Sequence, residues 1–202
     1  MKLKDFSKKM KKNIFSVAEA RVICFRDKPK VLNLQLHQWT KSGDLTSLKR
    51  GLYMFTGRNY EISELVQSLY YPCYFSLEYA LNFYGIMTET VFQYTLVSTK
   101  ATRHFETDVG TFTYQKIKKT AFTGFDSKTL MAEKEKALVD YFYLNSGKLE
   151  ASNSFWKESR LEAGVTKINF KKALAYAKFF NSKKLELLLN SFHSYAKSHQ
   201  NY

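Results

Sequence analysis

Apolar positions along the chain follow two regimes. Up to residue 43 they recur at helical spacing, and from Leu45 they shift to short runs rich in β-branched and aromatic residues. Lys2 to Lys12 predicts a short basic helix with Phe6 and Met10 one turn apart on its apolar side, and Asn13-Ile14 interrupts it. Ser16-Val-Ala-Glu19 fits a capping box. The Ser16 hydroxyl takes an unpaired amide and the Glu19 carboxylate reaches back to the Ser16 amide. Ala18, Val22 and Phe25 follow at i, i+4 and i+7, so a second helix is expected to run to about Phe25 with those residues inward. Arg26-Asp-Lys-Pro29 reads as a turn, with Pro29 opening a third helix that ends at Gly43. Leu45-Thr-Ser-Leu48 and Leu52-Tyr-Met-Phe55 then predict a hairpin turning at Lys49-Arg50-Gly51.

Residues beyond 56 read as a second unit. Helices are expected from Ser63 to about Tyr70, from the cap-like Ser76 to Gly85, and over Met131 to Leu144 with Ala137, Leu138, Tyr141 and Phe142 inward. Val91 to Thr99, Arg103 to Glu106 and Thr111 to Ile117 read as strands. Two or three more helices follow between Phe155 and Ser198, the last with Leu185, Leu188, Leu189 and Phe192 on one stripe. The expected class is α+β: a winged helix-turn-helix domain over residues 1–58, then a mixed α+β domain with a helical C-terminal part over residues 59–202.

Charge sharpens this picture. The first 60 residues hold fourteen of the 32 basic residues and only four of the 18 acidic ones, so they carry an excess of ten out of a net +14. A positive field concentrated on a foldable front end attracts polyanions, above all nucleic acid. On the third helix Leu32, Leu36 and Trp39 share one face, and the opposite face collects Lys30, Leu34, His37, Gln38 and Lys41. Gln38 suits an adenine edge, and Leu34 either meets a thymine methyl or is buried. Lys30 and Lys41 suit phosphate or guanine, and His37 suits either kind of contact. Asn33 and Thr40 flank that face, Lys28 stands at the entrance of the helix, and Lys49 and Arg50 at the hairpin tip suit a phosphate or the minor groove.

The remaining chemistry narrows the options. Apolar usage of 45% is that of a folded chain, and no apolar run approaches the roughly 18 residues of a membrane span. The basic start has no apolar stretch behind it, so a cytoplasmic location is expected. Cys24 and Cys73 read as buried small hydrophobes, and His37, His104, His193 and His199 lack metal-ligand spacing. No Gly-rich phosphate loop and no GxSxG elbow occurs, so an enzyme, a cofactor and a metal are not expected. Asp140 and Glu135 read as helix-surface or structural polar residues. Tyr60, Tyr70, Tyr71, Tyr74, Tyr79, Tyr84 and Tyr94 read as core-packed rings with hydroxyls at the rim, in preference to a stack for single-stranded nucleic acid.

A set of short motifs adds a resemblance. Leu48-Lys-Arg-Gly-Leu-Tyr53, Tyr74-Phe-Ser-Leu-Glu-Tyr-Ala-Leu81 with Tyr84-Gly-Ile86, Val109-Gly-Thr-Phe-Thr-Tyr114, Phe122-Thr-Gly124 and Ala132-Glu-Lys-Glu-Lys-Ala-Leu-Val-Asp-Tyr141 occur in that order. Together they resemble the AbiEi antitoxin family and span most of residues 45–144. The resemblance implies a bacterial type IV antitoxin and transcriptional autorepressor. Its winged helix would bind inverted-repeat DNA in its own promoter, as a dimer or as monomers binding cooperatively. Its C-terminal domain would counteract a nucleotidyltransferase-like toxin without a stable complex. The competing readings are a solitary DNA-binding regulator, a module that binds its toxin directly, and an enzyme or RNA binder using the tyrosine-rich region.

Overall fold

The computed structural model describes residues 1–88, 91–161 and 168–199. It is an α+β protein with two small sheets among the described residues. The chain divides into two compact units, Met1–Tyr71 with Phe105–Thr111, and Pro72–His104 with Phe112–Tyr202.

In the first unit α1 (Leu3–Lys9) leads into β1 (Ile14–Ser16), α2 (Val17–Ile23), α3 (Pro29–Lys41), β2 (Leu45–Lys49), β3 (Leu52–Phe55) and α4 (Ile62–Leu69). The sheet order is β1-β3-β2, antiparallel throughout, with Phe15 opposite Tyr53 and Ser47 opposite Tyr53. The Ser16–Glu19 capping box forms in full, with Ser16 Oγ accepting from the Glu19 amide and Glu19 Oε2 accepting from the Ser16 amide at 2.8 Å. Gly43, at φ +80°, takes the left-handed conformation just beyond α3, where a side chain would be strained. The core joins Phe6, Met10, Phe15, Ala20, Cys24, Leu32, Leu36, Leu45 and Phe55. Its rings interlock, Phe6 lying edge-on to Phe15 at 5.3 Å and stacked on Trp39 at 5.3 Å.

Three expectations from the sequence change here. The basic helix is shorter than Lys2–Lys12, and the residues after it pair with β3 as a strand that the three-residue run Ile14–Ser16 was too short to announce. The second helix turns a different face inward. Ala20 and Cys24 are buried, while Val22 and Phe25 are 77% and 74% exposed. The capping box sets the start of α2, and the core accepts the smaller side chains because α3 packs beside it. The boundary expected near residue 58 falls at Tyr71/Pro72, because α4 packs on β1.

In the second unit β4 (Tyr74–Phe75), β5 (Tyr94–Ser98), β7 (Gly110–Lys116) and β6 (Arg103–Thr107) form a four-stranded sheet in that order. β5 runs parallel to β7 and antiparallel to β4. Residues 105–111 at the tip of the β6–β7 hairpin group with the first unit. α5 (Leu77–Phe83), α6 (Lys134–Leu144), α7 (Asn153–Glu158), α8 (Phe170–Lys178) and α9 (Lys183–His199) complete the unit, with α6 packed against α5, α8 and α9. α6 is buried nearly all round, so its inward face is wider than the stripe read from sequence: Glu135, Lys136, Val139 and Asp140 are buried with Ala137, Leu138 and Phe142. Leu185, Leu188, Leu189 and Phe192 of α9 are all buried, as their spacing predicts. The expected domain 59–202 includes residues 89–90, 162–167 and 200–202, which lie outside the described residues, as does the side chain of His199.

Candidate nucleic-acid interface

α3 is held by four residues along its inner side. Leu32 and Leu36 are buried, Trp39 is half-buried against Phe6, and the Gln35 carboxamide donates to the Met1 carbonyl at 3.0 Å. Thr40, expected to reach outward, instead donates its hydroxyl back to the Leu36 carbonyl at 2.9 Å and is half-buried. What this leaves outside is Lys28, Lys30, Asn33, Leu34, His37, Gln38 and Lys41, every one exposed. Leu34 is 57% exposed, so it lies on the outer face and is not buried. Val31, 44% exposed, joins it there, at a position the sequence pattern does not single out.

The electrostatics of this face are one-signed. No carboxylate occurs from Lys28 through Gly43. The nearest preceding one, Asp27, is bound by the Met1 ammonium at 2.8 Å. With 13 residues at about 1.5 Å each, α3 is about 20 Å long, long enough to lie in a major groove.

The hairpin tip splits its two cations. Arg50 is exposed beside Gly51, whose φ of +79° makes the tight turn. Lys49 is half-buried. Its ammonium donates to the Leu69 carbonyl and lies 5.6 Å from the Phe105 ring centroid. Arg58 is likewise used internally. It donates to the Ser7 carbonyl at 3.1 Å, reaches the Met10 carbonyl at 3.4 Å, and stacks 3.9 Å from the Phe55 centroid, clamping the end of α1 to β3. Lys49 and Arg58 are therefore used inside the fold, while the other twelve basic residues of the first 60 face water, Lys28, Lys30, Lys41 and Arg50 among them.

The second unit places its polar motif residues differently. Asp140 is fully buried and accepts from Tyr74 Oη at 2.9 Å and from Ser76 Oγ at 2.8 Å, while its other oxygen takes the ammonium of the equally buried Lys136. That ammonium lies between the rings of Tyr74 and Phe180, 5.4 and 5.0 Å from their centroids. Asp140 is therefore no surface residue. Burial raises the Asp140 carboxyl and lowers the Lys136 ammonium, and their mutual attraction opposes both shifts. Ser76 does not cap α5 with its hydroxyl, which is turned inward to Asp140. Thr95 Oγ1 takes that role, accepting from the Tyr79 amide at 3.0 Å and donating to the Ser76 carbonyl at 2.8 Å. Gly124, at φ +77°, lets the chain pass close to the ring of Tyr176 and the stem of Lys136. The sequence carries one signal for this cluster, the i, i+4 spacing of Lys136 and Asp140, and no signal for its burial.

The tyrosine-rich stretch also resolves. Tyr74 is fully buried, Tyr70, Tyr79, Tyr84 and Tyr94 are half-buried, and Tyr60 and Tyr71 are exposed. Cys24 and Cys73 are buried free thiols, and burial pushes Cys73 up to about 12. Among the described residues no group of three or more His, Cys, Asp or Glu side chains comes together as a metal site, and no helix is long and apolar enough to cross a membrane. No protein-family model matches the chain, and no curated protein matches it significantly.

Proposed function

We propose that the first unit is a winged helix-turn-helix that binds double-stranded DNA, and that the protein is a cytoplasmic antitoxin and transcriptional autorepressor. The observation that carries the reading is α3: every outward side chain from Lys28 to Lys41 named above is exposed, and the segment holds no carboxylate. The element order supports it. Three helices, a strand between the first two, and a β2–β3 hairpin closing an antiparallel sheet of order β1-β3-β2 suit a recognition helix followed by a wing. In this reading α3 enters the major groove and Arg50 holds the backbone beside it, while Lys49 sets the hairpin in place.

The antitoxin half rests on the resemblance of the ordered motifs to the AbiEi family. Tyr74, Ser76, Lys136 and Asp140 come from two of those motifs and meet around one buried carboxylate, and Gly124 of a third lies against the stem of Lys136. Their spacing in the chain thus has a common physical cause. The partner in this reading is a nucleotidyltransferase-like toxin.

A mobility-shift titration of the full chain on the DNA upstream of its own gene tests the repressor half. The expected result is binding at least about a thousandfold tighter than to a scrambled duplex at physiological salt. Equal affinity for the two removes the repressor. Co-expression with the product of the adjacent gene tests the other half: growth restored by the full chain is expected, and unrelieved toxicity overturns the antitoxin assignment.

A further inference from the structure

The rotation of α3 about its own axis decides which chemistry it shows to a groove. Leu32 and Leu36, 1% and 0% exposed, fix that rotation from the inside. On the outside, Val31, Leu34 and Gln38 stand at i, i+3 and i+7 and form one stripe. Lys30 and Lys41 border it. Single exposed aliphatic residues are ordinary on a protein surface. Two of them, next to a carboxamide and between lysines on a helix without a carboxylate, form a pattern with a chemical meaning.

In the major groove the thymine C5 methyl is the apolar group, the adenine N6 and N7 pair matches a carboxamide, and the guanine O6 and N7 acceptors match arginine or lysine. α3 carries no arginine, and its other glutamine carboxamide, Gln35, is already bound to the Met1 carbonyl. We infer that α3 reads A·T base pairs, with Leu34 and Val31 packing on thymine methyls and Gln38 paired to an adenine on the next turn of the helix. Lys28, Lys30 and Lys41 hold phosphates, and Asn33, on the flank of the stripe, stands toward the backbone. The inference rests on the DNA-binding reading above and adds the base chemistry that the site selects.

The test uses the full chain and a randomised duplex library, followed by atom-level changes in the selected site. Selected half-sites should be dominated by A·T pairs. Replacing thymine by uracil removes only the methyl. It should weaken the wild-type protein several-fold, up to about tenfold, and weaken Leu34→Ala by a smaller factor, the part that Val31 still carries. Replacing adenine by 7-deazaadenine removes one acceptor. It should weaken the wild type by about the same factor and leave Gln38→Ala unaffected. Both side chains are exposed, and unchanged melting temperatures show that the variants fold. Salt-dependent duplex binding without A·T enrichment, or wild-type binding indifferent to uracil, overturns the inference and leaves the DNA-binding reading standing. No duplex binding even at low ionic strength removes both.

Discussion

Two helices of this protein carry lysines to opposite ends. On α3, Lys30 and Lys41 stand in water on a face without carboxylates. On α6, Lys136 is wholly buried and tied to Asp140 one turn away. A hydrated lysine contributes little to the fold and keeps its charge available to a ligand. A buried one has lost its hydration and is stable only while its partner is present. The contrast teaches that the net charge of a chain overstates the field it offers. Arg58 lies between the extremes, a cation of the basic front end that is used to close off the carbonyls at the end of α1.

The contrast is open to experiment, and the largest effect is expected in α6. Asp140→Ala leaves the Lys136 ammonium buried without a counter-charge and strips Tyr74 and Ser76 of their acceptor. It should cost about 3–5 kcal/mol, read by urea denaturation of the full chain. The double change Lys136→Met with Asp140→Leu should recover only part of that loss, because both charges leave together while the Tyr74 and Ser76 hydroxyls still lack their acceptor. A single-variant cost no greater than that of a surface change would break the contrast at its root.

Arg58→Ala should cost about 1–2 kcal/mol, since it removes charged hydrogen bonds to carbonyls and a ring contact. Arg58→Lys should recover only part, for want of the planar fork. Thermal melts in which lysine fully replaces arginine would show that charge alone matters there.

Lys30→Ala and Lys41→Ala should leave stability within about 0.5 kcal/mol of wild type. Each should lower the dependence of log affinity on log salt by about one unit for every phosphate it ceases to neutralise. A fall in melting temperature without a change in salt slope would reassign these lysines from ligand to fold.

The smallest effect concerns Glu19. The Lys12 ammonium and the Ser16 amide hold its carboxyl below the ordinary carboxylate range. A carboxyl lowered by folding adds stability that is present above its unfolded value and lost as pH falls through the folded one. The first unit should therefore lose a few tenths of a kcal/mol on acidification through that range, the pair being largely exposed. Glu19→Gln should flatten the acid limb of the melting profile, and an unaltered limb would show that the pair is already broken in solution.

Local chemistry makes much of this architecture legible. The Ser16–Glu19 box, Pro29 opening α3, Gly43 closing it and the leucine stripe of α9 all follow from neighbours in sequence, because caps, turns and i, i+4 contacts are settled within a few residues. Of the proposed interface, the polar outer face of α3 is readable, whereas the place of Leu34 is not. Spacing alone leaves it either buried or out, and the anchoring of Leu32, Leu36 and Gln35 decides it.

Sequence alone established most of the order of helices and strands, the concentration of positive charge at the front and the ends of several helices, because each depends on composition or on adjacent residues. Tertiary structure decided that Val22 and Phe25 face out, that Ile14–Ser16 is a strand, that Lys49 and Arg58 are used inside, and that Asp140 is buried with Lys136. Those outcomes depend on which surfaces meet across distances of tens of residues. Desolvation, the largest influence on the buried charges, exists only once they have met.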